Sequence, residues 1–340
     1  MSESIFYPDQ PLVTVIVPVY NDQAYIATCL DSILKQTYTY LQILVIDDGS
    51  TDETPHIIDQ YASKHKRIEA IHIPNQGVSV ARNTGLDKMN GDYVMFVDSD
   101  DYLDSHAIAH LVDYADTNEL DIVLFGATYY HQDGSVEQYL PYSSTQILDE
   151  GEVKKRMYRG DLSTPIWDKF YSQSIWEDLR FDTQWLRGQD FVIQHQYFYR
   201  AHSIGCLAEP LYHYELRHSR GNFSLAYHLK FQYDVIRERL AFVETHDTDY
   251  IISVEEKLVR LALNIWHVSC VHHDEILQPL LPEIHAFLRQ SLHHPVYKSC
   301  NTKRKMMLKL HRYAPTLYAL LLKVAFRYIE PRQYTMLKES

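Results

Sequence analysis

The chain has 340 residues, 46% of them hydrophobic, and 32 Lys/Arg against 45 Asp/Glu give it a formal net charge of −13. That length accommodates an α/β unit of roughly 220 residues with an addition. The acidic balance excludes a nucleic-acid binder, which needs a basic stripe. Four distant cysteines (Cys29, Cys206, Cys270, Cys300) lack metal-type spacing and fit a reducing compartment.

Taken in chain order, residues 1–11 read as a flexible polar tail with no signal segment. Leu12–Val17 is apolar and β-branched and predicts a first strand. A helix over Tyr25–Gln36 follows, its stripe formed by Tyr25, Ile26, Cys29, Leu30, Ile33 and Leu34. Leu41–Ile46 predicts a second strand, running into a polar turn (47–52) that caps a helix over Glu53–Ser63. Ile68–Ile73 is a third strand, Val78–Lys88 a third helix and Tyr93–Val97 a fourth strand. Ser105 caps a helix to Asn118, and Ile122–Phe125 opens a fifth strand. Strands separated by helix-length segments argue for right-handed βαβ units and a mostly parallel sheet. From Ser224 the pattern is helical without strand signals: Leu225–Glu244, Ile251–Cys270 and Ile276–Leu292.

In such a sheet, ligands sit outside the carboxyl ends of the strands. Tyr20-Asn21-Asp22, Asp47-Asp48 and Asp98–Asp101 all fall there, so they are expected to line one crevice. Asp98-Ser99-Asp100-Asp101 concentrates negative charge that a cation would make tolerable. Carboxylate oxygens select Mg²⁺ or Mn²⁺, and such an ion would hold a diphosphate. Taken alone, these residues read equally well as a helix start capped by Asp98 or Ser99. Neither a dinucleotide-type glycine fingerprint nor a Gly-Lys-Ser/Thr phosphate loop appears, which counts against a dehydrogenase or P-loop kinase.

Five ordered motifs carry a resemblance. They are Val15-Ile16-Val17-Pro18-Val19-Tyr20-Asn21, Cys29–Thr37, Val45-Ile46-Asp47-Asp48-Gly49-Ser50-Thr51-Asp52, Asn75–Gly85 and Phe96–Asp101. With this spacing, residues 12–220 resemble the family 2 glycosyltransferases of the GT-A fold. The resemblance implies a Rossmann-like, mostly parallel sheet flanked by helices. It also implies an inverting transferase that uses a nucleotide-activated sugar, usually a UDP-sugar, and Mn²⁺ or Mg²⁺.

Residue roles follow from the resemblance. Tyr20 stacks on the uracil with Pro18 beside it, Asp48 accepts the uracil imide N–H, and Arg82 packs near the same base. Asp98 and Ser99 meet the ribose, and Asp100 is the metal carboxylate. Tyr20 could instead pack under its loop, and Arg82 could be a solvated helix residue paired with an acid. Asp47 reads as a turn residue or cap. Gln23 stands where the family often has Glu and is given no role. In Leu186-Arg187-Gly188-Gln189-Asp190-Phe191 the resemblance makes Asp190 the general base that deprotonates the acceptor hydroxyl. Gln189 replaces the family's Glu and removes one charge beside it; the plainer reading has Asp190 capping a helix from Phe191. Thr164–Tyr171 resembles the Trp-Asp-Lys stretch of the acceptor side, where Trp167 stacks on a sugar ring or lies in the core. Pro210–Ser224 resembles the segment that closes over the diphosphate. Arg217, Ser219 and Arg220 are its phosphate donors, and His213 or His218 a further metal ligand.

The implied organisation is a 12–223 catalytic domain, with a nucleotide-sugar half (12–130) and an acceptor half (131–223), and a 224–340 helical extension. Residues 298–340 hold ten Lys/Arg and two acids, and 299–340 reads as basic amphipathic helices. These either lie on an anionic membrane surface or pack as an ordinary lid. The longest apolar run, Ala314–Leu322, is too short to span a bilayer. The expected protein is cytoplasmic, or peripheral at the cytoplasmic face of the inner membrane, and transfers sugar to a saccharide or lipid-linked saccharide in surface polysaccharide, lipooligosaccharide or glycolipid synthesis. Two alternatives remain: a sugar nucleotidyltransferase, disfavoured by a glycine-free 12–24, and a catalytically silent nucleotide-sugar-binding subunit.

Overall fold

The structure, a computed structural model, describes residues 10–185, 188–216, 224–272 and 274–328. The chain divides into two compact units, Met1–Ser219 and Arg220–Ser340.

The first unit opens with β1 (Val13–Val19), α1 (Ile26–Leu34), β2 (Leu41–Asp47), α2 (Thr54–Lys64), β3 (Ile68–His72), α3 (Val78–Lys88) and β4 (Tyr93–Phe96). All four strands run parallel, in the order β3-β2-β1-β4. β1 is buried at every position, as a central parallel strand covered on both faces must be. It runs two residues beyond the predicted end because Pro18 does not stop it. The β1–β4 register finishes at Ile16 opposite Phe96, so the missing proline N–H faces a place that β4 has already left. α3 packs on β1 through Gly85, where an added Cβ would meet Ile16 Cγ2 at 2.5 Å.

β5 (Tyr102–Leu103), α4 (Ala107–Thr117), β6 (Ile122–Tyr130), β7 (Val136–Tyr139), β8 (Gln146–Leu148), α5 (Glu150–Arg159), β9 (Lys169–Ser172), α6 (Gln189–Arg200) and β10 (Ile204–Glu215) complete the unit. The sheet order is β3-β2-β1-β4-β9-β6-β10-β5, with β7 on β6 and β8 on β10. β9 is antiparallel to both β4 and β6, whereas β10 is parallel to β6, so the sheet is mixed beyond β4. No side chain caps α4: Asp104 Oδ1 accepts from N of the N-cap residue His106 at 2.9 Å, and Ser105, the predicted cap, bonds the His106 ring.

The second unit is helical: α7 (Leu225–His246), α8 (Ile251–Val271), α9 (Leu281–Ser291), α10 (Val296–Ser299), α11 (Thr302–Tyr313) and α12 (Pro315–Tyr328). Ser224 caps α7 by accepting from Tyr227 N. The helix expected from Ile276 begins at Leu281, because Pro282 suits a first turn and not an interior. α9 and α12 pack on α8, and α11 packs on α9 and α12. Their shared core includes Leu258, Ala262, Ile265, Trp266, Ile284, Leu288, Leu308 and Tyr318. Among the described residues, no helix is long and apolar enough to cross a membrane.

Candidate active site

β1 and β2 end side by side, and their loops are tied by hydrogen bonds that use the predicted polar residues. Tyr20, 41% exposed, presents its ring at the tip of β1. Asn21 follows in the left-handed region (φ 52), with Oδ1 accepting from Thr51 N at 2.8 Å. Asp47 Oδ1 accepts from Ser50 N at 3.0 Å, and Oδ2 pairs with His72 Nδ1 at 2.8 Å, which raises the histidine pKa. Asp47 is therefore a turn residue. Asp48 is buried, and its two oxygens accept from Gln76 N and Gly77 N, each at 2.8 Å. It thus holds the loop that leads into α3. Gln23 Oε1 accepts from Glu53 N at 2.9 Å, a tie between the same two loops.

At the end of β4 the chain turns sharply, with Asp101 N donating to Asp98 O at 3.1 Å. Ser99 is buried and donates from Oγ to Asp22 Oδ2 at 2.5 Å, which joins this turn to the tip of β1. Tyr212, deep in β10, accepts from Asp98 N at 3.1 Å and donates to Asp101 Oδ2 at 2.8 Å. Burial, then the charges of Asp98 and Asp100, pushes the Asp101 carboxyl up to about 8. Burial likewise raises Asp98 to about 6; Arg82 opposes that shift, while Asp190 and Asp100 add to it. Cys29 lies beneath, its Sγ 3.7 Å from Asp98 O, and burial with the surrounding carboxylates keeps it a thiol.

Arg82 joins the distant parts of the site. It is buried on α3, with Nη1 donating to Asp190 Oδ1 at 2.7 Å and Nη2 to Asp98 Oδ1 at 3.2 Å. Burial alone would lower its pKa, but Asp190 and Asp98 outweigh that and raise it. The guanidinium also lies over the Phe181 ring at 5.4 Å. Phe181 is held there by Asn83, whose Nδ2 donates to Phe181 O and whose Oδ1 accepts from Phe181 N, both at 2.8 Å. The predicted place of Arg82 was beside the base; the structure engages it with two carboxylates. Asp190 does not cap a helix from Phe191, because α6 already begins at Gln189 with Gly188 as N-cap. Gly188 has φ 65 and ψ 25, a left-handed conformation that glycine adopts without strain. Asp190 lies in the first turn, where the positive end of the helix is complementary to a carboxylate.

Other predicted residues are placed differently. Trp167 is 4% exposed, stacked on Tyr212 (4.4 Å) and Tyr214 (5.4 Å), and belongs to the core, so no ring face remains for a sugar. The adjacent Asp168 and Lys169 are also buried and paired at 2.5 Å. His213 stacks on Tyr102 at 4.6 Å and shares a hydrogen bond with Tyr130 through Nδ1, and burial lowers its pKa. It is therefore a packed ring in β10 and, among the described residues, belongs to no group of three that could hold a metal. Arg217, His218, Ser219 and Arg220 lie outside the described residues. Sequence reasoning missed Asp101, Asn83, Phe181 and Tyr212. Asp101, Asn83 and Tyr212 stood inside quoted motifs, whereas nothing marked Phe181.

Among the described residues, no group of three or more His, Cys, Asp or Glu side chains is arranged to hold a metal ion. The donor set at the β4 turn nevertheless fits a hard cation. Asp98 and Asp100 are carboxylates of the kind a hard cation takes, and burial, opposed by Arg82 and reinforced by Asp190 and Asp100, raises Asp98.

Residues 14–179 match the model of Glycosyl transferase family 2. A Bacillus subtilis (strain 168) protein, the uncharacterized glycosyltransferase EpsJ, is 34% identical over 60% of this chain and 61% of its own length. Glycosyltransferase GlyA of Streptococcus pneumoniae serotype 4 is 33% identical over 68% of this chain and 34% of its own. The matched stretch thus spans less than two thirds of each relative. Among solved structures, S. aureus TarS 1–349 in complex with UDP aligns with TM-score 0.70 at 20% identity, covering 93% of this chain and 91% of that one. The same protein in complex with UDP-GlcNAc aligns at 0.65 and 19%, covering 92% and 88%. Mannosyltransferase PcManGT from Pyrobaculum calidifontis, in complex with GDP-Man and Mn²⁺, aligns at 0.52 and 16%, covering 93% and 84%. With its acidic strand tips, its mixed sheet and these matches, the chain belongs to the family 2 glycosyltransferases and has the GT-A fold.

Proposed function

We propose that this chain transfers a sugar, with inversion, from a UDP-sugar to an acceptor hydroxyl, and that Asp190 is the general base. The observation that carries this reading is the shared guanidinium: Arg82 bonds Asp98 at the nucleotide side and Asp190 at the start of α6. A donor whose ribose meets Asp98 and Ser99 is then next to the base.

The acceptor oxygen attacks the anomeric carbon from the face opposite the diphosphate. Its proton passes to Asp190 Oδ2, while Arg82 fixes the carboxylate through Oδ1. The sugar–phosphate C–O bond breaks and UDP departs with the electron pair. Asp100, with Asp98 beside it, would hold a Mn²⁺ or Mg²⁺, and such an ion would supply positive charge to stabilise the leaving diphosphate. Arg217, Ser219 and Arg220 serve as phosphate donors. Tyr20, exposed at the β1 tip, stacks on the uracil beside Pro18. Asp48, oriented by Gln76 N and Gly77 N, accepts the imide N–H with its remaining lone pairs. The UDP and UDP-GlcNAc complexes of TarS favour a uridine donor carrying a hexose or N-acetylhexosamine. The acceptor is a saccharide or lipid-linked saccharide of a surface polysaccharide, lipooligosaccharide or glycolipid.

A screen of UDP- and GDP-sugars for manganese-dependent hydrolysis, beginning with UDP-GlcNAc, tests the reading. Turnover is expected with a UDP-sugar and is abolished by Asp100→Ala. A wild-type chain that binds UDP but hydrolyses no donor would overturn it in favour of a silent binding subunit.

A further inference from the structure

Charge is segregated in this molecule. From Lys298 to Tyr328 the sequence has eight Lys/Arg and no Asp or Glu, in a chain whose acids outnumber its bases 45 to 32. The same stretch collects solvent-facing apolar side chains: Met306, Tyr313, Leu317, Leu320 and Leu321 are 57%, 73%, 53%, 59% and 51% exposed. On α11, Lys303, Met306, Lys309 and Tyr313 recur at helical spacing on the exposed face, with Arg312 exposed beside them. The opposite face buries Leu308 and His311, and α11 packs there on α9. On α12, Leu317, Leu320 and Leu321 stand at i, i+3 and i+4 and are exposed, while Tyr318 is buried. Both helices are therefore anchored by one face; the second face of α11 is apolar at its centre and basic at its border, and that of α12 is apolar.

We propose that this α11–α12 face docks on an anionic lipid surface. Leucine, methionine and tyrosine side chains would enter the headgroup–acyl boundary. The lysine and arginine stems would run alongside them and leave their charges at the phosphates. A second copy of the chain is a poorer occupant, because a two-fold interface through α11 sets one all-basic helix against another. The inference is independent of the catalytic reading: it concerns where the chain sits, and its test requires no donor.

The test is flotation of the full chain with vesicles of neutral phosphatidylcholine and with vesicles containing an equal share of phosphatidylglycerol. At least tenfold more protein is expected on the anionic vesicles, with that excess lost when salt is raised to about 0.5 M. Two triple variants separate the contributions, with melting curves checking that each stays folded. Lys303→Glu/Lys309→Glu/Arg312→Glu should abolish the anionic preference, and Leu317→Asn/Leu320→Asn/Leu321→Asn should reduce binding at least tenfold at low salt. Equal binding to both vesicle types, no binding to either, or unchanged binding by folded charge-reversed protein overturns the proposal. So does a dimer that the leucine substitutions dissociate while the wild type ignores vesicles.

Discussion

The carboxylates at the sheet edge and the histidines among the second unit's helices are both buried, and burial favours the uncharged form of each, but the groups around them differ. Asp98 and Asp101 are raised to about 6 and about 8, and what opposes the shift of Asp98 is an arginine that also bonds Asp190. His267 and His311 are lowered to about 4, by burial first and then by Lys303 for one and by His285, Arg289 and His267 for the other. Their partners are neutral: His285 Nδ1 lies 2.7 Å from His311 Nε2, and His267 Nε2 lies 2.8 Å from the Tyr318 hydroxyl. In the sheet unit a cation works against that neutralisation at Asp98, whereas in the helical unit the histidines meet neutral partners and the rings become packing.

The largest effect expected from disturbing the contrast is chemical. Asp190→Asn keeps the size and the position near Arg82 but accepts no proton, so transfer should fall by roughly 10²–10⁴-fold. UDP affinity by calorimetry should stay within about threefold, since the base does not hold the nucleotide. Undiminished turnover would remove Asp190 from the mechanism. Arg82→Met should come next: it leaves Asp98 and Asp190 facing each other without their cation, a change that costs about 3–5 kcal/mol when the partners are buried. Denaturant unfolding measures it; a loss below about 1 kcal/mol would show that solvent already screens the pair. Asp48→Ala should cost about 1–3 kcal/mol by leaving the Gln76 and Gly77 amides without their acceptor, and should weaken uridine nucleotides more than tenfold. Unchanged affinity would discredit its role in base recognition.

The smallest effect sharpens the other side of the comparison. A histidine whose folded pKa lies below its ordinary 6.5 binds fewer protons folded than unfolded as pH falls. The stability it contributes is present above 6.5 and is lost between 6.5 and about 4. The slope is on the order of 1 kcal/mol per pH unit for each histidine. Amide exchange across α9, α11 and α12 should accelerate between pH 7.5 and 5.5, beyond the intrinsic pH effect, and His311→Phe should reduce that change. Protection that is flat over this range in the wild type would mean that the rings bind protons equally in the folded and unfolded states.

Local pattern was enough for the first half of the sheet unit. β2, β3 and α3 lie within a residue of their predicted limits, because a buried parallel strand, its half-exposed edge neighbour and a helix behind a glycine turn are specified by neighbours in the sequence. β10 escaped, since Pro210 interrupts it and its register with β6 shifts between Leu207 and Tyr212, which hides any alternation. The acid-rich strand tips were legible as a cluster at one edge. The pairing of Arg82 with Asp190 was not: 108 positions separate them, and only the folded sheet shows that they are adjacent. Trp167 shows the converse limit, since an indole that packs on Tyr212 and one that packs on a sugar have the same sequence.

Gly85 has a consequence that reaches the chemistry. It lies one turn after Arg82 on α3 and touches Ile16 of β1 with nothing larger than a hydrogen. A single methyl group there would wedge the helix off the strand and carry the guanidinium with it, so the bridge from Asp98 to Asp190 is gauged by the thinnest side chain in the protein.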